Sequence, residues 1–232
     1  MKTILAFDLD DTLYDELTYV DSGFAAVARF LEQEKLAGFA ETYAFMQTRL
    51  AGGRGRIFDD LLLHFGSYSR RNVRRCLTAY RLHKPAIQLY PEAVACLARF
   101  KAYPLYIVTD GNKVVQYNKI IALGLPALVD RYLITHRFGV HHAKPSPYCF
   151  TRICAWEKVE PAQVVYVADN PRKDFIGIKP LGFRTIRVLT GQHRSVEIPE
   201  EYQAEQQIVS LNALDDALAS LFRRREPHLC KR

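Results

Sequence analysis

The 232-residue sequence predicts an α/β fold, a doubly wound parallel sheet with an inserted α-helical bundle. Short apolar runs at residues 4–8, 105–109, 132–135, 164–168 and 185–189 each end at polar or glycine punctuation, the pattern of parallel strands buried on both faces. Helical stretches lie between the later runs. After the first, the interval 14–84 reads as helix after helix with no convincing buried strand.

Taken in order, the first strand is apolar from Ile4 to Phe7 and then opens on acids at Asp8. Four helices follow, expected at 16–35, 39–50, 57–65 and 70–83, and glycines at 38, 52, 53, 55 and 66 separate them, a spacing that suits a small bundle. Pro91 starts a helix that runs toward Lys101, the second strand is 105–109, and the helix over 112–123 stops at Gly124. After the third strand, Ser146 and Pro147 read as the N-cap and first-turn pair of a helix whose Trp156 is expected to pack it on the sheet. The fourth and fifth strands follow. Ser210 caps a last helix, and 223–232 reads as a frayed basic tail. The chain thus divides into a Rossmann-like core, 1–13 and 86–232, and a helical unit, 14–85.

Composition narrows the function classes. Hydrophobic residues make up 49% and charged residues 25%, which excludes collagen-like, disordered and disulfide-scaffold chains. No apolar run approaches the roughly 18 residues needed to span a bilayer, and Asp8 interrupts the apolar start too soon for a secretory signal, so the expected location is cytoplasmic, without membrane contact. Five cysteines, scattered and without a C-x-x-C pair, argue against a zinc ribbon. His136, His141 and His142 near Cys149 match no structural zinc spacing and read as a surface loop. The net charge of +7 favours anionic partners, and residues 49–84 carry nine bases against two acids. Nucleic acid is not the expected partner even so: no nucleic-acid motif is present, and Arg70, Arg71, Arg74 and Arg75 fall at the spacing of a solvated helix face. No pattern specifies an oligomeric state.

The chemistry concentrates where the first strand ends. Asp8 and Asp10 stand two apart, so the strand period places both carboxylates on one side, where they either share a proton or hold a cation. The carboxyl end of a parallel sheet is also where such folds bind ligands. By residue type alone, solvated acids in a strand-to-loop turn fit equally well.

Phe7-Asp8-Leu9-Asp10-Asp11-Thr12-Leu13 resembles the first signature, D-x-D-x-T, of the haloacid dehalogenase superfamily, and three further segments resemble its other signatures in order: Val108-Thr109-Asp110-Gly111-Asn112, Ala143-Lys144-Pro145 and Asp169-Asn170-Pro171-Arg172-Lys173-Asp174. The resemblance covers about 3–192, and the helical unit is similar to that superfamily's class I cap. It implies a magnesium-dependent phosphatase acting on a small phosphorylated metabolite. In that scheme Asp8 is the nucleophile that forms an aspartyl-phosphate, and Asp10 is the acid and base. Thr109, Lys144 and the backbone amides at Asp110 and Gly111 bind the phosphoryl group. The Asp8 carboxylate, the Asp10 carbonyl and Asp169 hold Mg2+, Asp174 holds Lys144, and Asn170 assists around the metal. Dehalogenases of the superfamily lack the second acid of the first signature, which this chain keeps as Asp10. A phosphomutase shares all four signatures, and a phosphate-binding interaction protein could keep the residues without the activity. Arg54 and Arg56, on a glycine-rich turn between helices, are the expected substrate-specificity residues, gripping a second anionic group.

Overall fold

Four strands are buried along their whole length: β1 (Ile4–Phe7), β2 (Leu105–Thr109), β4 (Val164–Ala168) and β5 (Arg184–Val188). The computed structural model, which describes residues 2–53 and 55–223, sets them at the centre of one six-stranded parallel sheet. β3 (Arg131–Ile134) and β6 (Gln206–Ile208) form its edges, in the order β3-β2-β1-β4-β5-β6. Register follows from pairs such as Phe7 with Ile107 on one side and with Val167 on the other. β6 is an unexpected element. Its Gln-Gln-Ile sequence carries no apolar run because only Ile208 is buried, as an edge strand allows.

The period of two sorts the strand residues between two apolar layers. Leu5, Phe7, Ile107, Val165 and Ile186 pack on one face, with α5 (Pro91–Arg99), α6 (Lys113–Ala122) and α8 (Leu214–Arg223) contributing to the same cluster. Ile4, Ala6, Tyr106, Val108 and Tyr166 pack on the other, against Phe150 and Ile153 of α7 (Tyr148–Glu157). The fold is therefore an α/β, Rossmann-like sheet with helices on both faces.

Residues 16–82 form four helices, α1 (Glu16–Gln33), α2 (Phe39–Leu50), α3 (Ile57–His64) and α4 (Arg70–Leu82), around a third apolar cluster that includes Phe24, Val27, Met46 and Leu61. The chain leaves and re-enters the sheet region side by side, where the Tyr90 amide donates to the Leu13 carbonyl at 2.9 Å. The arginines expected on a solvated face behave so, except that Arg75 pairs with Glu34 at 2.6 Å and covers the Phe30 ring.

Two local expectations need correction. Pro147, not Ser146, occupies the N-cap position of α7, and the Ser146 hydroxyl accepts the Tyr148 amide at 3.4 Å. Trp156 meets the sheet only at its edge and is not buried on it: it is 39% exposed, with the guanidinium groups of Arg131 of β3 and of Arg152 over its ring. The terminal segment 224–232 lies outside the described residues. No helix among the described residues is long and apolar enough to cross a membrane.

Candidate active site

All four signature segments meet at the carboxyl end of the central strands. β1 delivers Asp8, whose amide donates to the Val167 carbonyl of β4 at 2.9 Å, so its backbone is fixed before its side chain is considered. Lys144 comes from the loop before α7 and is 6% exposed. Its ammonium donates to Asp8 Oδ1 at 2.6 Å and to the Tyr166 hydroxyl at 2.9 Å, and pairs with Asp174 Oδ1 at 2.7 Å. A buried lysine is tolerated only when paired in this way. Its carboxylate partners raise its pKa well above the ordinary lysine value, against the opposing effect of burial.

Asp8, Asp169 and Asp174 bring one carboxylate oxygen each within 4.8 Å of one another, all buried. A single lysine cannot balance three such charges. Burial, and then the neighbouring Asp8 charge, pushes the Asp169 carboxyl up to about 9, while burial raises Asp8 to about 6 in spite of Lys144. The Thr12 hydroxyl donates to Asp169 at 3.4 Å. The set consists of hard oxygen donors with excess negative charge, which fits a magnesium ion. Asp174 is therefore more than an anchor for Lys144: its other oxygen accepts the Asn170 amide at 3.0 Å, closing the turn that presents Asp169 and Asn170.

Asp10 borders the same 150 Å³ cavity as Asp8, Asp169 and Asn170, but a different cation holds it. Lys119 of α6 pairs with Asp10 Oδ1 at 2.7 Å, the Tyr14 hydroxyl donates to the same oxygen at 2.5 Å, and the Gln116 amide donates to Oδ2 at 2.7 Å. Burial alone would raise this acid; the charge and hydrogen bond of Lys119, with the bonds from Tyr14 and Gln116, bring it below the ordinary value. Gln116 also donates to the Thr109 hydroxyl at 2.6 Å, tying the second segment to the first.

Asp110 accepts the Thr135 hydroxyl at 2.6 Å and the Lys144 amide at 3.1 Å, so its carboxylate organises the loop that carries Lys144. Gly111, at φ +130°, occupies backbone space that a side chain would fill only by pressing on Gln116 at 3.3 Å. At Gly177 a Cβ would stand 1.7 Å from the Pro145 carbonyl oxygen, so glycine there lets the Lys144-Pro145 segment lie against the chain that follows Asp174.

A larger cleft of about 410 Å³ opens beside Asp10 between the sheet and the helical insert, lined by residues of α1, α3, α4 and α6. Arg56 lines it, in the left-handed conformation just before α3, whereas Arg54 lies outside the described residues. The histidine loop is apart from this site. Among the described residues the acidic trio is the group of metal-ligating type, and His142 instead stacks on Tyr148 with ring centroids 3.7 Å apart.

Tyr14, Gln116, Lys119 and Tyr166 were not among the residues singled out from the sequence. For Gln116 and Lys119 a signal existed: they lie three apart in a helix that starts from the second signature, so they form a polar pair on a face where the helix meets the sheet.

Comparison with known proteins settles the family. The family model for haloacid dehalogenase-like hydrolases matches residues 2–182. The chain belongs to the haloacid dehalogenase-like hydrolases. Among its relatives, the glyceraldehyde 3-phosphate phosphatase of Methanocaldococcus jannaschii is 30% identical over 229 residues, covering 95% of this chain and 98% of that one. The phosphoserine phosphatase of Thermus thermophilus is 33% identical over 141 residues, 60% of this chain and 55% of its own. Among solved structures, the 2-haloacid dehalogenase of Pseudomonas syringae superposes with a TM-score of 0.66 at 22% identity, over 95% of this chain and 99% of that one, a likeness of fold. In this haloacid dehalogenase-like hydrolase both acids of the first signature, Asp8 and Asp10, line the small acidic cavity, and Asp10 also lines the larger cleft.

Proposed function

We infer that the chain is a magnesium-dependent phosphatase that hydrolyses a small phosphorylated metabolite through an aspartyl-phosphate on Asp8. The observation that carries this reading is the buried pairing of Lys144 with both Asp8 and Asp174, where Asp8, Asp10 and Asp169 line one acidic cavity. Phosphatase relatives that align over nearly the whole chain support the same class.

In this reading Asp10, which Lys119 holds ionised in the free protein, takes up a proton as the phosphate ester binds; Asp8 attacks phosphorus, the ester oxygen leaves with that proton, and Asp10 then takes a proton from the water that cleaves the acyl phosphate. Thr109, the Asp110 and Gly111 amides and the Lys144 ammonium receive the phosphoryl oxygens as negative charge develops on them. Magnesium, when bound by the Asp8 carboxylate, the Asp10 carbonyl and Asp169, neutralises the repulsion between a carboxylate nucleophile and a phosphate dianion. Asp174 and Tyr166 keep Lys144 pointed at Asp8, and Asn170 steadies the acidic turn. Residues 14–85 act as the cap over the core formed by 1–13 and 86–232, excluding water from the intermediate. The presence of Asp10 favours an alcohol leaving group, which needs a proton, over a halide, which does not.

The test is phosphate release from a panel of sugar, glyceryl and amino-acid phosphates with magnesium. Asp8→Asn is expected to abolish release, and Asp10→Asn to lower it by roughly 10²- to 10⁴-fold. Normal turnover by a folded Asp8→Asn protein overturns the mechanism. Transfer to a second hydroxyl with no net phosphate release assigns the chain to the mutases instead.

A further inference from the structure

We infer that the alcohol part of the substrate is an aromatic group seated in the cleft between α1, α3 and α4, an assignment that rests on the phosphatase reading above and narrows it. The two ends of the 410 Å³ cleft differ in chemistry. On the core side it is polar, with Asp10, Asp110, Asn112, Gln116 and Lys119, the end that adjoins the phosphoryl site. On the insert side the walls are Val20, Phe24, Phe58, Val73, Leu77 and Tyr80.

Four rings run continuously along that wall. Tyr19 meets Tyr80 with centroids 5.5 Å apart, Tyr80 meets Phe24 at 6.2 Å and Phe58 at 5.6 Å, and Phe24 meets Phe58 at 6.5 Å. Their planes are tilted or perpendicular, the arrangement in which one ring's edge meets another's face, and a further ring can join such a set on the same terms. Phe58, Val73, Leu77 and Tyr80 remain half-buried, and Leu77 stands outside the apolar cluster that fills the insert. Apolar surface of this kind beside a reactive carboxylate calls for an apolar occupant. The volume also lies within the roughly 300 to 1,000 Å³ that drug-sized organic molecules fill, well beyond a three-carbon phosphate.

Aromatic walls also attract quaternary ammonium groups. Four acids, Asp10, Glu16, Asp59 and Asp110, and three bases, Arg56, Arg81 and Lys119, line the cleft, so its charge is close to balanced and selects neither occupant. Lys119 is already paired with Asp10. The tilted rings and the aliphatic side chains beside them favour an uncharged aromatic group, which gains edge-to-face packing and apolar burial together.

The experiment compares esters of primary alcohols; ethanol and 2-phenylethanol have similar acidity, so their difference reports binding in the cleft rather than ease of bond breaking, and choline, the stronger acid, counts as preferred only if its KM is the lower. With the full chain and magnesium, kcat/KM is measured by phosphate release for 2-phenylethyl phosphate, ethyl phosphate and choline phosphate. Burying one phenyl ring predicts a preference of about 10- to 100-fold for 2-phenylethyl phosphate over ethyl phosphate. Leu77→Trp, which fills the cleft from a half-buried helix position, should lower the ratio of those two values by about 10-fold, and Leu77→Ala should lower it by about 3-fold. A ratio near one in the unaltered protein overturns the aromatic assignment while leaving the phosphatase reading intact. Preference for choline phosphate overturns it in favour of a cation. No release from any ester, including a wider panel, overturns the phosphatase reading and this assignment with it. If Leu77→Trp fails to fold, the unaltered protein's ratio and the Leu77→Ala ratio still decide.

Discussion

Lys119 is the cation on which Asp10 depends, and its removal has a magnitude that follows from the geometry. Its side chain is 3% exposed and that of Asp10 is 23% exposed, so the pair at 2.7 Å is largely shielded from water, and the Tyr19 ring lies 4.3 Å from the ammonium. Breaking a fully buried pair by deleting one partner costs about 3–5 kcal/mol, because a charge is left uncompensated. Asp10 retains hydrogen bonds from Tyr14 and Gln116 and part of its exposure, which places Lys119→Met at the low end, about 3 kcal/mol. For a chain of this length that corresponds to a fall in Tm of roughly 6–12 °C. Urea or thermal unfolding in the presence of magnesium checks the stability, and phosphate release checks function, where turnover should fall at least about 10-fold as the acid loses its orientation. Asp10→Asn removes the charge that Lys119 balances, so the double variant Lys119→Met with Asp10→Asn should recover most of the coupling. A loss below about 1 kcal/mol, the behaviour of a solvent-exposed pair, would refute the idea that Lys119 and Asp10 form one unit.

Three other outcomes follow from the site. Burial and neighbouring acids raise Asp169 from 3.8 to about 9 and Asp8 to about 6, so the metal-free folded protein holds protons that the unfolded chain has released. Its stability should therefore fall as pH rises from about 4 to about 9, and the gain in Tm on replacing chelator with magnesium should be larger at pH 8 than at pH 5.5; equal gains would mean that these acids hold no cation. Gly177→Ala should disable phosphate release through displacement of the Pro145 segment and of Lys144 with it, since a methyl group cannot sit 1.7 Å from a carbonyl oxygen, and unchanged kinetics would contradict that packing. Arg56→Ala should raise KM by roughly 10-fold for an ester that carries a second anionic group and hardly at all for a neutral one, compared by initial rates on both; equal effects would assign Arg56 to closure of the insert.

What was legible in the sequence is what depends on local pattern. β1, β2, β4 and β5 are buried on both faces, so β1 and β4 are wholly apolar, β2 is apolar up to Thr109, and β5 interleaves its apolar Ile186 and Val188 with two buried arginines, Arg184 and Arg187; the edge strand β6 has one buried residue and no such run. Helix boundaries in the insert fell within about two residues because glycines mark the turns. Asp8, Lys144, Asp169 and Asp174 could be named from motif order, and the fold brings all four together. The partners of Asp10 could not be named in that way. Tyr14 and Lys119 reach it from either side of the helical insert, 109 residues separating Lys119 from Asp10, and nothing in a linear pattern states that α6 turns its polar pair toward β1. Likewise the aromatic wall is contributed by three helices, and no linear pattern brings Tyr19, Phe24, Phe58 and Tyr80 together.

The bond from Lys144 to Asp8 spans 136 positions, and that from Thr12 to Asp169 spans 157. During synthesis on the ribosome the first strand and its acids emerge long before the lysine that balances them. For most of translation the nascent chain carries Asp8 without the lysine that pairs with it. Asp8 gains that lysine, and Lys144 its second carboxylate, only once β1, the loop through Lys144 and the turn through Asp174 have come together, so the activity proposed above is expected of the completed sheet and of no chain that stops short of Asp174.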